Sequence, residues 1–441
     1  MGRRLFVAFM NDIVTLWIEW LRPSTGLVTV QWSLLLAAAS LIAYLLHRGT
    51  GLPKVVGYAL VGSVAGFAGF GGAAIWPLRG NSLFLLELGI AVVLFEAGAR
   101  VPLRWFRHNP MVLVQSLAES ALTYVAVAAA LRWMGLSPAV AGPLALMAMA
   151  ASPAVLARVA ADAGASGPVT DRAMVLATLG TLYALAIGTA QAELQSREEM
   201  RLLATAGPAA MVLVLSVIVG GMLAVCLRMA LKVMSPASEN TSILLLALIA
   251  AAAGFASHLG GSAPLAALVG GMLLKQFAPR PWSWPSQLGT AASLLTMLMF
   301  VLVSVVTAQV DWTWPVALLV ATLVGARALA KIAGVAVANV GSGVSWRQAV
   351  WVGCALSPMS SVALLIASQY AQAGGAVARR ITGIALPAIL VMERLGAVVA
   401  TIALHRARET SRPWLPRRGH RLTGPVAPPL QTPGPGDEHG A

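Results

Sequence analysis

Residues 144–162 read LALMAMAASPAVLARVAAD, and residues 350–368 read VWVGCALSPMSSVALLIAS. Each is an apolar run interrupted near its middle by Ser-Pro, at Ser152–Pro153 and at Ser357–Pro358. A proline inside a membrane-spanning helix frees backbone groups that lipid cannot satisfy, so such breaks persist where they face protein or a wet cavity. Two breaks in comparable surroundings, one in each half of the chain, therefore mark a place of interest, provided that the chain spans a membrane.

Composition settles that condition. Of 441 residues, 58% are hydrophobic and 10% charged, with a mean hydropathy of +0.80. Soluble domains carry roughly 25% charged residues, so these residues cannot cover a core with a water-soluble coat. A spanning helix needs about 20 mostly apolar residues. Runs of that kind recur thirteen times, at 28–47, 54–70, 83–99, 111–133, 137–161, 171–191, 205–231, 241–259, 263–277, 287–308, 314–339, 347–370 and 379–404. The expected fold is an all-α integral membrane protein with a transmembrane domain over 28–404. Residues 1–27, with Arg, Asp and Glu among aromatics, read as an interfacial segment rather than a signal peptide. Residues 405–441, rich in Pro, Gly and Arg, read as a disordered basic cytoplasmic tail.

The net charge of +14 and a pI near 11.1 could suggest a nucleic-acid partner, but the basic residues lie in short links and in the tail and serve as topology signals. Nine Lys and Arg fall on the N-terminal side of the spans and eighteen on the other. That asymmetry places the N-terminus outside and the C-terminus in the cytoplasm of a cell, or inner, membrane. Cys226 and Cys354 sit inside apolar runs and form no disulfide framework. The six His and two Cys show no metal-ligand spacing, no catalytic signature occurs, and GFGGAA at 69–74 lacks a βαβ context, so no enzyme activity and no cofactor or metal is expected.

The two Ser-Pro breaks fall in spans five and twelve, an odd seven apart in order, so the broken segments cross in opposite directions. Spans one to six and eight to thirteen then form an inverted repeat with span seven joining them, an arrangement that points to a transporter site. A pair of ordinary proline kinks is the plainer alternative. Charges within the spans narrow the choice, since each costs at least about 2.5–3.5 kcal/mol there and marks a pathway or a paired strut. Span four holds Glu119, span eleven Arg327 and Lys331, and span thirteen Glu393 beside Arg394. Arg327 and Lys331 are four apart and share a face. Lys331 could pair with Glu119 or Glu393, either as a static strut or in a proton-linked role. Glu96 and Arg100, also four apart, read as a helix-end pair.

GLPKVVGYALVGSVAG at 51–66, LLELGIAVVLFEAGAR at 85–100, SPAVLARVAADAGASGPVTDRA at 152–173, LGGSAPLAALVGGMLL at 259–274 and RALAKIAGVAVA at 327–338 together resemble the monovalent cation:proton antiporter-2 family, the Kef-type sodium/hydrogen exchangers. The resemblance runs over 28–404. It implies a thirteen-helix fold of the NhaA type, with a dimer-forming panel and a mobile core of spans four to six and eleven to thirteen in which the broken helices cross. It further implies a homodimer, and elevator-like exchange of Na⁺ or K⁺ for H⁺. Lys331 matches that family's membrane-embedded basic residue. The acidic group that the family carries in span six does not match: Leu179-Gly180-Thr181-Leu182-Tyr183 stands there, and Ser357-Pro358-Met359-Ser360-Ser361 replaces an acidic variant of the second break.

A carboxylate both replaces a cation's water and releases the cation on protonation. In its absence, the hydroxyls of Ser152, Thr181, Ser357 and Ser360, with Gly180 and the carbonyls freed at Pro153 and Pro358, are the candidate neutral ligands. Local helix capping is the plainer role for each hydroxyl. Glu119 or Glu393, near Lys331 and Arg327, could carry the proton. Two other functions stay open: carriage of an anionic or small organic solute at the half-helix N-termini, since sodium-coupled bile acid transporters are similar in fold, or a transport-inactive scaffold or regulator.

Overall fold

A computed structural model describes residues 28–70, 76–78, 80–101, 103–195, 206–235, 238–277, 286–359 and 361–412. The proposed interfacial segment, most of the tail and Ser360 lie outside them. The described residues form sixteen helices: α1 (Val28–Thr50), α2 (Lys54–Phe67), α3 (Asn81–Ala99), the short α4 (Leu103–His108), α5 (Met111–Trp133), α6 (Pro138–Met149), α7 (Pro153–Ala163), α8 (Pro168–Gln195), α9 (Ala206–Val233), α10 (Glu239–His258), α11 (Ala263–Phe277), α12 (Ser286–Ala308), α13 (Trp314–Val337), α14 (Trp346–Ala355), α15 (Ser361–Ala373) and α16 (Gly375–Arg406). Eight are long and apolar enough to cross a membrane, and four shorter apolar helices accompany them. With α6–α7 and α14–α15 each taken as one broken pass and α4 as a link, the helices make thirteen passes, in the order the apolar runs predict.

Packing sorts the passes into two groups. The largest buried cluster centres on α5–α8 and α13–α16. A second joins α3, α9, α10 and α11, and a third joins α1, α2 and α12. Large apolar side chains such as Leu41 and Leu45 on α1 or Ile218 and Met229 on α9 point outward, as lipid-facing residues should. Within the first group α5 lies against α13, and α16 lies against both half-helix pairs. Small residues permit these approaches, because lipid supplies no hydrophobic drive between helices and close backbone packing must hold them. A Cβ on Gly334 would lie 2.5 Å from Glu119 Cα, and one on Gly396 would lie 2.5 Å from Pro358 Cα.

The two breaks form differently. Ser152 is extended and its Oγ accepts the Val155 N–H at 3.2 Å, so Ser152 caps α7 and Pro153 is its first residue. This position suits proline, whose missing N–H would be unpaired there anyway. In the second break Pro358 stands inside the non-helical stretch between Ala355 and Ser361. Pro143 and Pro387 lie within α6 and α16, which continue through them. The two breaks touch: Ala151 and Met359 form an antiparallel bridge, and Ser152 N–H donates to Pro358 O at 3.0 Å.

The structure departs from the expected tail boundary. Helix α16 runs to Arg406, and residues beyond it dock on the α7–α8 link through an Ala165–Thr410 bridge. Glu409 then accepts the N–H groups of Val169 and Thr170, both at 2.8 Å, and the Thr170 hydroxyl at 2.7 Å. It thereby satisfies donors that the N-terminus of α8 leaves open. Composition does not register a single carboxylate placed to cap a neighbouring helix.

Gly396→Val should push α16 off the second break and lower the thermal midpoint of detergent-purified protein by several degrees. Gly254→Ala, where no atom lies within 4 Å of the added methyl, should leave the midpoint unchanged or raised, since alanine is the better helix former.

Candidate functional site

The crossing is built around Arg327, which is fully buried. Its Nε donates to Ala148 O at 2.8 Å, one terminal nitrogen to Ser357 O at 2.5 Å, and the other to Ala150 O, Leu356 O and Pro358 O at 3.0, 3.3 and 3.2 Å. These carbonyls end α6 and α14, where unpaired acceptors and the negative ends of both helix dipoles gather. Burying a guanidinium costs several kcal/mol. Five contacts at about 1.5–3 kcal/mol each outweigh that cost and tie the two half-helix pairs together.

One turn further along α13, buried Lys331 Nζ donates to Glu119 Oε1 and, at 3.1 Å, to Met149 O. Glu119, on α5, also accepts Thr123 Oγ1 at 3.3 Å and, through Oε2, Ser120 Oγ at 3.2 Å. Both partners of the ion pair are 1% exposed. Gly180 on α8 faces this pair: its missing Cβ would lie 3.5 Å from Met149 O, 3.5 Å from Ser120 Oγ and 3.8 Å from Glu119 Oε2. Three oxygens from two passes, α5 and α6, thus surround the space that a side chain at position 180 would fill. The carboxylate at this point is supplied by span four.

Of the residues singled out in the sequence, Ser152, Pro153, Gly180, Thr181, Ser357, Pro358, Arg327, Lys331 and Glu119 meet at this crossing. Thr181 Oγ1 bonds Ala151 O at 2.5 Å and Ala177 O at 2.8 Å, so its proton holds α8 to the first break. The Ser152 hydroxyl caps α7. The carbonyls read as free ligands are largely taken by Arg327 and Lys331, which stand where an added cation would otherwise be needed. Glu393 is not part of this cluster. It is 2% exposed, and its Oε2 accepts Ser304 Oγ at 2.9 Å, joining α16 to α12 of the other helix group.

Several contributors carried no motif. Gln115, Ser116, Ser120 and Thr123 extend Glu119 into a buried polar stripe on α5, visible in the sequence only as helical spacing. Arg172 donates to Gln115 Oε1 at 2.8 Å and Ser342 O at 2.9 Å, and Ser116 Oγ meets the Tyr183 hydroxyl at 2.9 Å, binding α5, α8 and the end of α13 into one unit. Further contacts to the other group come from α7: Arg158 donates to Thr296 Oγ1 at 3.4 Å, and Asp162 accepts Lys54 N–H at 3.0 Å. A small cavity of about 50 Å³ between α7, α3 and α12 reaches Pro153 and Ala154, and Arg100, paired at 2.5 Å with Glu96, lines both it and a cavity of about 690 Å³ at the end of the bundle.

Residues 36–404 match the family model described as sodium/hydrogen exchanger, transmembrane. The chain therefore belongs to the sodium/hydrogen exchanger family and is a multi-pass membrane protein. Two structures of the sodium proton antiporter MjNhaP1 from Methanocaldococcus jannaschii share the fold. The one at pH 8 has a TM-score of 0.60 at 14% identity and covers 85% of this chain and 95% of that one. The other, from electron microscopy, has 0.65 at 15% and covers 89% and 100%. No curated protein matches the chain.

Arg327→Met strands the carbonyls of both breaks, and buried unpaired polar groups cost about 1–3 kcal/mol each. Purified Arg327→Met should aggregate or melt well below the parent in fluorescence-detected size exclusion. Arg327→Lys, which retains a charge but loses the fork, should fall between them.

Proposed function

We propose that this chain exchanges a monovalent cation, Na⁺ or K⁺, for H⁺ across the membrane, with Glu119 and Lys331 as the competing pair. The observation that carries this reading is the buried Lys331–Glu119 ion pair beside the open face of Gly180. A cation seated between Glu119 Oε2, Ser120 Oγ and Met149 O takes over the charge that Lys331 now balances. Lys331 releases a proton as the cation binds, and a proton returning to Lys331 as the cation leaves restores the ion pair. Family membership supports cation and proton as the cargo, and the sequence likeness to Kef-type exchangers supports the same mode.

On this reading α5–α8 and α13–α16 move as a core against the remaining helices. Such a movement breaks polar contacts between the groups, among them Arg158–Thr296, Asp162–Lys54, Glu393–Ser304 and the bonds of Ser368 and Gln372 to Leu78 O. The charge distribution along the chain supports a cytoplasmic C-terminus and an outside N-terminus, and the family resemblance supports a homodimer. A second reading, carriage of an anionic solute, draws on the two cations against one carboxylate at the crossing.

Glu119→Gln combined with Glu393→Gln should abolish cation flux driven by an imposed pH gradient in proteoliposomes. Unaltered flux removes both carboxylates from the mechanism, and flux of organic anions instead of cations favours the second reading. Gly180→Ala fits at ordinary contact distances and should fold, yet it occupies the proposed seat. Its cation KM should rise about tenfold, the worth of one charge-assisted contact.

A further inference from the structure

A cavity of about 620 Å³ lies between α14 and the end of α16, away from the crossing. Arg347, Arg406 and Arg408 line it, with His405, Trp351 and Val350. Among the described residues no carboxylate lines it, and none of the three guanidinium groups makes an ion pair. The nearest acidic neighbour in sequence, Glu409, is committed to the N-terminus of α8.

Ordinary helix electrostatics account for only part of this cluster. His405 and Arg406 lie in the last turn of α16, where cations complement the dipole. Arg347 lies in the first turn of α14, where the dipole disfavours a cation. Arg408 has φ of 61°, a left-handed conformation that glycine adopts freely and that costs an ordinary residue roughly 1–2 kcal/mol. Three like charges thus converge on one hollow, two of them, Arg347 and Arg408, against local preference. An anion offsets both their repulsion and the backbone strain.

We propose that this cavity binds a phosphate group, and that its occupant is the headgroup of an anionic phospholipid. Guanidinium groups pair with phosphate through two parallel N–H donors. Trp351, on the same face of α14 as Arg347, and Val350, 38% exposed, give the apolar wall that a glycerol and acyl chain require. Tryptophan is enriched at the edges of a bilayer. The site is independent of the transport reading and stands on the α14–α16 packing alone.

The test uses full-length protein in nanodiscs of phosphatidylcholine with or without phosphatidylglycerol, read by thermal midpoint and by native mass spectrometry of retained lipid. Phosphatidylglycerol should raise the parent's midpoint by several degrees and remain bound. Arg347→Gln, Arg406→Gln and Arg408→Gln should each weaken retention about fivefold, with an unchanged midpoint in phosphatidylcholine. Arg408→Gly, which relieves the strained backbone, should also lose lipid while folding at least as well. Two results overturn the proposal. One is equal loss on neutralising Arg228, Lys232 and Lys275 at the ends of α9 and α11, which makes the effect general surface charge. The other is stabilisation by inorganic phosphate in detergent with none from the lipid, which makes the occupant a soluble anion.

Discussion

One buried guanidinium governs the arrangement of this protein. Two helices stop halfway through a layer where no water can reach their ends, leaving carbonyls of Ala148, Ala150, Leu356, Ser357 and Pro358 to be satisfied internally. Arg327 meets all five. A neutral donor could not also balance the two helix dipoles that end there, and a mobile ion would leave the crossing dependent on occupancy. With a tethered cation in place, the crossing can stay intact while a neighbouring group exchanges its partner.

That neighbour is Lys331. Its position one turn from Arg327 sets it against Glu119 and Met149 O, so the same face of α13 performs two tasks. Arg327 is structural, with every contact made to backbone. Lys331 holds a side chain that can titrate or accept another cation. Gly334, a further turn along, lets α13 approach the backbone of α5 at Glu119. Two glycines flank Glu119: Gly334 lets α13 approach its backbone, and Gly180 on α8 leaves room beside its carboxylate.

Much of this was legible in the sequence. The thirteen apolar runs, the two Ser-Pro interruptions and the i,i+4 spacing of Arg327 and Lys331 follow from periodicity and from the cost of charge in lipid, and each is a local property of the chain. The partner of Lys331 was not legible, since Glu119 and Glu393 have equal claims until α5 is known to face α13 and α16 to face α12. The occupancy of the freed carbonyls was likewise hidden, because a sequence shows which acceptors a proline releases but not which donor reaches them. Glu409 illustrates the same limit: in a basic, proline-rich segment its carboxylate looks incidental, yet it caps a helix more than 200 residues earlier in the chain.

The central claim is that Glu119, Ser120 and Met149, facing Gly180, form the seat of the transported cation. An experimental structure of the protein in a bilayer mimic with Tl⁺, an electron-dense monovalent ion, tests it most directly. The account predicts ion density among those three oxygens, with Lys331 withdrawn from Glu119 and Arg327 unmoved. Density elsewhere along the crossing, or an Arg327 released from the five carbonyls when the ion binds, would contradict it.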